Sequence, residues 1–248
     1  MQSQPWSWTT LWTKLGLGGK RRRAAQTRSY IRHLRFECCE ERAMLAPIIV
    51  NSLLDDGGGP KTTLREAIFQ ANANPDHDTI EFSTNPADGL NGGTITLASQ
   101  LNITQSVTIN ASMLAAGLTV SAGDGTDLAP NTGDGFRIFK IGSVNVEINS
   151  LTLTGGDLPL GSDPSGGGAI SCEAGNLTLK NSVITGNASQ VSGGGIWASS
   201  SNVTIDNSII HDNTAAFDGG GLFFDSGDEL KVVSDSVISG NTCGGIFN

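Results

Sequence analysis

Between residues 144 and 248 the chain says nearly the same thing several times, and a repeat of fixed size constrains the fold more than any other feature. GGGAI at 166–170 returns as GGGIW at 193–197, GGGLF at 219–223 and GGIF at 244–247. Between them NSVITGN at 181–187 returns as NSIIHDN at 207–213 and DSVISGN at 235–241. Gly166 to Gly193 is 27 residues, Gly193 to Gly219 is 26, Asn187 to Asn213 is 26 and Asn213 to Asn241 is 28. A unit this short cannot bury an apolar face alone, so the copies must stack.

Within one unit the apolar positions alternate, as in Leu177-x-Leu179 and Val203-x-Ile205, which is strand spacing. Each unit holds three such runs, GG(A/G)I, LTL and SVI, separated by the turn formers Gly, Asn, Ser and Asp. About 26 residues therefore make one circuit of three short strands and three bends, with circuits pairing in parallel about 4.8 Å apart. The expected fold is all-β: a right-handed parallel β-helix, or solenoid. Its inward rows are Ile170, Ile196, Leu222 and Ile246 on one face, and Leu177, Leu179, Val203 and Ile205 on the next. Ile184, Ile210 and Ile238 line the third. Asn187, Asn213 and Asn241 recur at one bend, where Asn tolerates a left-handed backbone and its amide can stack on the next.

One register needs a decision. Matching Ser208 to Ser236 points Lys231 inward beside Val203, and burying an unpaired Lys is costly. The better register turns Leu230 and Val232 inward and places a one-residue bulge at Val233 or Ser234.

Charge is divided along the chain. Residues 1–46 carry nine Lys and Arg against three Glu, a net of +6, leaving six basic and 21 acidic residues in 47–248, a net of −15. An acidic body is a poor surface for phosphate, which argues against nucleic acid as a partner. No stretch approaches the ~20 apolar residues of a membrane span. Cys38 and Cys39 are adjacent, and Cys172 and Cys243 fall about three circuits apart, beyond the reach of a disulfide. Residues 1–46 read as a basic segment outside the folded body, disordered and serving export, with processing expected just after Ala46.

At 62–82 stands TTLREAIFQANANPDHDTIEF. Thr63 and Glu66 have capping-box spacing. Leu64, Ala67, Ile68 and Ala71 form one apolar stripe, and Asn72, Asn74 and Pro75 end the helix. A helix at about 63–72 can lie across the open first circuit, covering its apolar interior and its unpaired strand edges. The whole body is thus 47–248: a capping region at 47–85, early circuits with longer loops at 92–156, and regular circuits at 166–248.

Two stretches carry family resemblances. Arg32, Leu34, Arg35, Glu37, Glu40 or Glu41, Arg42, Met44, Leu45 and Ala46 resemble the leader motif of many exported planctomycete surface proteins. IIVNSLLDDG, then Leu64, Arg65, Glu66, Ala67, Ile68, Ala71 and Asn72, then Asp78, Thr79, Ile80 and Phe82 resemble the CSLREA domain at the head of bacterial extracellular β-helix proteins. Thr62 and Thr63 stand where that family has Cys-Ser. The circuits resemble polymorphic outer membrane protein and pectate-lyase-like repeats, with Gly167-Gly168-Ala169-Ile170 one literal instance of GGA(I/L/V). These resemblances imply a secreted or cell-surface protein, the surface being the outer membrane. The chain stops at the start of a circuit, which reads as part of a longer protein.

β-Helices of this kind host lyases and glycosidases, and each chemistry demands particular residues. A lyase needs a basic residue as base beside carboxylates that hold calcium against an acidic sugar; a hydrolase needs convergent carboxylates. After Arg65 the basic residues are Arg137, Lys140, Lys180 and Lys231, and Asp157, Asp163, Asp212, Asp218, Asp225 and Asp228 fall mostly in bends. His211-Asp212 reads as a solvent-facing bend pair. No catalytic, cofactor or metal residue is assigned, and calcium has no support. Loops at 124–135 and 157–165 escape the periodic argument. The motif residues Thr63, Leu64, Arg65, Glu66, Ala67, Ile68, Asn72, Asn187, Asn213 and Asn241 are read as structural. The preferred function is a structural or adhesive module contacting an extracellular glycan or surface protein through its outer residues Thr178, Lys180, Thr204 and Asp206. A lyase or glycoside hydrolase is the alternative.

Overall fold

In the computed structural model the described residues are 46–56, 59–123, 134–161, 163–225, 229–232 and 235–243. The expected leader, Ile246, the bulge at Val233 or Ser234 and most of the 124–135 loop lie outside them.

Alternating apolar residues produce four parallel sheets that wind as a right-handed β-helix. Sheet A has seven strands: Ile48–Val50, Asp78–Phe82, Val107–Asn110, Asn145–Asn149, Asn176–Lys180, Asn202–Asp206 and Glu229–Val232. Sheet B stacks Thr94–Thr96, Leu118–Ser121, Leu151–Thr154, Val183–Thr185, Ile209–His211 and Val237–Ser239. Sheet C stacks Leu101–Ile103, Phe139–Ile141, Ile170–Glu173, Ile196–Ser199 and Leu222–Phe224. A regular circuit runs from C through A to B.

The inward rows are those the repeat predicts. Leu177 stands opposite Val203 and Leu179 opposite Ile205; Ile184 stands opposite Ile210, and Ile210 opposite Ile238. Ile170, Ile196 and Leu222 follow one another in sheet C. Ile80, Ile109, Ile148, Leu179 and Ile205 form one fully buried row, each side chain contributing about 1.5–3 kcal/mol of burial. Leu230 stands opposite Val203 and Val232 opposite Ile205, the expected register. Both are 41% and 48% exposed, because they stand at the end of the described circuits.

Two details differ from the expectation. A fourth sheet, D, made of the two-residue strands Asp157–Leu158, Ala188–Ser189, Thr214–Ala215 and Thr242–Cys243, gives the regular circuit four sides. The 27-residue spacing of Gly166 and Gly193 is one of motif starts: Ile170 pairs with Ile196, so Gly167 is the counterpart of Gly193 and the circuit is 26 residues. Cys172 is buried in sheet C and Cys243 exposed in sheet D, 71 residues or nearly three circuits further on.

The helix, Leu64–Ala73, follows from its capping box: Thr63 Oγ1 accepts from Glu66 N at 3.2 Å, and Glu66 Oε2 accepts from Thr63 N at 3.0 Å. Leu64, Ala67, Ile68 and Ala71 are buried in the core. They pack against the first two strands of sheet A and against Leu101–Ile103, the terminal strand of sheet C. The helix therefore covers the first circuit. Asn72 lies within it and does not end it.

Candidate functional site

The motif residues gather into two groups. At the helix, side chains close the open edge of sheet C. The Arg65 guanidinium forks onto Asp55, with Nε–Oδ1 2.9 Å and Nη2–Oδ2 2.7 Å, and also donates to the carbonyls of Ser99 and Gln100. Asp55 Oδ2 in turn accepts from Ala98 N at 2.7 Å. Asn72 completes the edge: its amide donates to Asn102 O and accepts from Thr104 N, both at 2.8 Å. Five backbone groups between Ala98 and Thr104 thus gain the partners a further strand would have supplied. Arg65 is thus tied both to Asp55, ten residues upstream, and to two carbonyls more than thirty residues downstream. Beside this edge Arg65, Ile68, Phe69, Asn72 and Leu101 line an open cavity of about 230 Å³, with Phe69 74% exposed.

The second group is the row Asn187, Asn213 and Asn241. It is not left-handed: the residues that take positive φ are Gly186, Asp212 and Gly240, each one place earlier. That twist turns the Asn side chains into the bend, where Asn187 and Asn213 are fully buried. The amide nitrogens of Asn187 and Asn213 donate to backbone carbonyls of their own and the preceding circuit, as Asn213 Nδ2 does to His211 O and Ile184 O, and Asn241 Nδ2 donates to Ile210 O of the preceding circuit. Each amide oxygen takes protons from the circuit below. His211 belongs to the strand Ile209–His211 rather than to the bend, with Nδ1 2.7 Å from Asp212 Oδ2.

A charged cluster that sequence reasoning did not assemble sits over sheet C. Arg137 is completely buried; Nη1 donates to Ser165 Oγ at 2.9 Å and Nη2 to Ser165 O at 2.7 Å. Asp163 Oδ2 lies 2.6 Å from Lys140 Nζ and 3.6 Å from Arg137 Nη2, and Glu173 Oε1 lies 3.3 Å from Lys140. Burial works to raise the pKa of Asp163, but hydrogen bonds from Lys140 and Ser165 and the charge of Arg137 outweigh it and bring it down to about 2. The hydrogen bond to Asp163 holds Lys140 above the ordinary lysine range, against partial burial, with Glu173 adding to it. Burial pushes Arg137 below its ordinary value, while Asp163 and Glu173 pull the other way. An amine held in its protonated form is a poor general base. This arrangement clamps the loop carrying Asp163 and Ser165 onto the sheet.

Next to the clamp, the outward row of sheet C reads Asn102, Lys140, Ser171, Trp197 and Phe223. The parallel outward row holds Glu173 and Ser199, with Ser199 Oγ donating to Asp225 Oδ2 at 3.5 Å. Ser171 is buried in spite of facing outward. On sheet A, Thr178 aligns with Thr204 and Lys180 with Asp206 as expected, yet the ammonium of Lys180 turns to Glu147 of the preceding circuit at 2.8 Å. No group of three or more His, Cys, Asp or Glu side chains is placed to hold a metal ion among the described residues.

No curated protein and no solved structure matches the chain. The parallel ladders, the four-sided circuit and the 26-residue register agree with the family model of the right-handed β-helix region, which matches residues 91–248. The chain belongs to that right-handed β-helix family.

Proposed function

We propose that the chain is a non-catalytic contact module, structural or adhesive, that works outside the cell as a secreted or cell-surface protein. The observation that carries this reading is the state of its cations. Every lysine and arginine whose side chain is described is held by a carboxylate: Lys61 by Asp88, Arg65 by Asp55, Arg137 and Lys140 by Asp163, and Lys180 by Glu147. An eliminating enzyme needs one such group deprotonated and within reach of a sugar carbon. The outer faces support contact instead. They offer fixed rows of small polar groups, such as the exposed amide ladder Asn145, Asn176 and Asn202, linked at 2.6 and 2.7 Å. The outward rows of sheet B, from Thr94 to Ser239, contain no Asp, Glu, Lys or Arg.

The extracellular setting rests on the leader resemblance at 32–46 and the CSLREA-like stretch at 47–85. The test is incubation of the full chain with pectins, alginates and other acidic glycans, with and without calcium. Binding without new reducing or unsaturated ends is the expected result. Turnover that vanishes on changing a single Asp or Lys overturns the reading. Fractionation of the producing cell, with N-terminal sequencing of the exported form, tests the location; a first residue near Pro47 is expected.

A further inference from the structure

Resting on the contact-module reading, we infer that the outer face of sheet C at Trp197 and Phe223 is a binding strip for a neutral oligosaccharide built of pyranose rings. The two aromatic residues stand directly opposite one another on adjacent strands, about 4.8 Å apart along the axis, a step comparable with one hexose unit. Both point away from the core, since Ile196 and Ala198 flank Trp197 on the buried side and Leu222 and Phe224 flank Phe223. Both remain partly open to solvent.

Trp197 is held from the side. A β-carbon on Gly166 would lie 3.0 Å from Trp197 Cδ1, so the indole edge rests on the clamped loop. That loop is fixed by the ion pairs of Asp163 and by the buried Arg137. An aromatic group anchored in this way loses little side-chain freedom on binding.

The second outward row supplies what an aromatic face lacks. Glu173, Ser199 and Asp225 run parallel to the aromatic pair, displaced by about 6.6 Å, two residues of extended chain. A pyranose ring set flat on an aromatic face offers its C–H groups to the negative π-cloud. Its equatorial hydroxyls then project sideways, and carboxylates are the strongest acceptors for them. Asp225 beside the aromatic pair, with Glu173 sharing its charge with Lys140 one circuit earlier, lies within a body of net charge −15 between residues 47 and 248, which disfavours uronic acids. The ligand class is therefore a neutral glycan.

The experiment uses the full chain, with cello-, manno- and xylo-hexaoses as neutral probes and oligogalacturonate as the acidic one, read by calorimetry and affinity electrophoresis. At least one neutral hexaose is expected to bind, and Trp197→Ala and Phe223→Ala each to weaken it about tenfold or more. Trp197→Phe keeps a ring and should retain most of the binding, which guards against a variant that merely misfolds. Phe69→Ala, at the helix, should bind as the parent does. Equal or tighter binding of oligogalacturonate, neutral binding untouched by both alanine variants, or no neutral binding at all overturns the strip. The last outcome leaves the contact-module reading intact with a protein as partner. Cleavage of the bound hexaose, lost in Trp197→Ala, supports the strip and overturns the non-catalytic reading.

Discussion

The amide oxygen of Asn213 accepts two protons from Asn187, one from its backbone N–H at 3.1 Å and one from its side-chain amide at 2.9 Å. Asn241 repeats the arrangement toward Asn213 at 3.0 and 2.9 Å, and Asn187 accepts from Gly156 N at 3.0 Å. A side chain that fits a buried bend so completely is hard to replace. Asn213→Ala leaves two donors of Asn187 and the carbonyls of Ile184 and His211 without their partner, and should cost about 2–4 kcal/mol. Asn202→Ala removes a link from an exposed ladder and should cost less than about 0.5 kcal/mol. Urea unfolding midpoints of the two variants at unchanged slope decide this; equal losses would show that burial of the ladder does not matter.

The edge of sheet C makes a second case. Asp55→Ala should deprive Arg65 of its carboxylate and Ala98 N of its acceptor, lowering stability by about 1–3 kcal/mol. Hydrogen exchange would locate the effect: faster exchange at Ala98 and Thr104, with the strands Asn176–Lys180 and Asn202–Asp206 unchanged. Uniformly faster exchange along the body would mean that the cap is not a separate unit.

The clamp predicts a pH dependence with a definite sign. Asp163 is depressed from 3.8 to about 2 in the folded chain, so its contribution is complete above pH 3.8 and disappears as pH falls through about 2. Because the pair is partly open to solvent, the expected size is about 1 kcal/mol rather than the full shift. The stability difference between the parent and Asp163→Asn should shrink by that amount between pH 5 and pH 2. A constant difference would show that the charge of Asp163 is not what holds the loop.

Glycines in the repeat fail for different reasons, which makes them separable. A β-carbon on Gly194 would collide with the carbonyl oxygens of Gly220 and Thr214 in the neighbouring circuit. Gly194→Ala should therefore cost about 3 kcal/mol or prevent folding. Gly117 has open space around it but a φ of +74°, so Gly117→Ala should cost only about 1 kcal/mol. Thermal melts of both variants give the comparison.

Sheets A, B and C are legible in the sequence because strands of three to five residues leave a visible alternation of apolar and polar positions. Sheet D is not, since a two-residue strand such as Ala188–Ser189 has no period. The Asn rows were recognisable as a repeat but were assigned the wrong backbone. Asn187 follows Gly186 and Asn241 follows Gly240, and the glycine supplies the left-handed turn that leaves the Asn free to point inward. The roles of Arg65 and Asn72 depend on carbonyls of the Ser99–Asn102 stretch, and nothing local to the helix announces them. The cluster of Arg137, Lys140 and Asp163 was hidden for a related reason: it joins a strand to a long loop, and loops carry no period.

The register between circuits has a bearing on heredity. Asn181 and Asn207 are linked by their amides at 2.7 Å, and each is followed by a serine, Ser182 and Ser208, that occupies the same place in its bend. The stretch 182–207 is therefore one whole layer bounded by two identical Asn-Ser junctions. Recombination between the two coding stretches would delete or duplicate that layer while every remaining residue kept its place in its inward or outward row. Reach along the axis could then change between generations in steps of one layer, about 4.8 Å, with neither the helix that starts the stack nor the clamp on sheet C being rewritten.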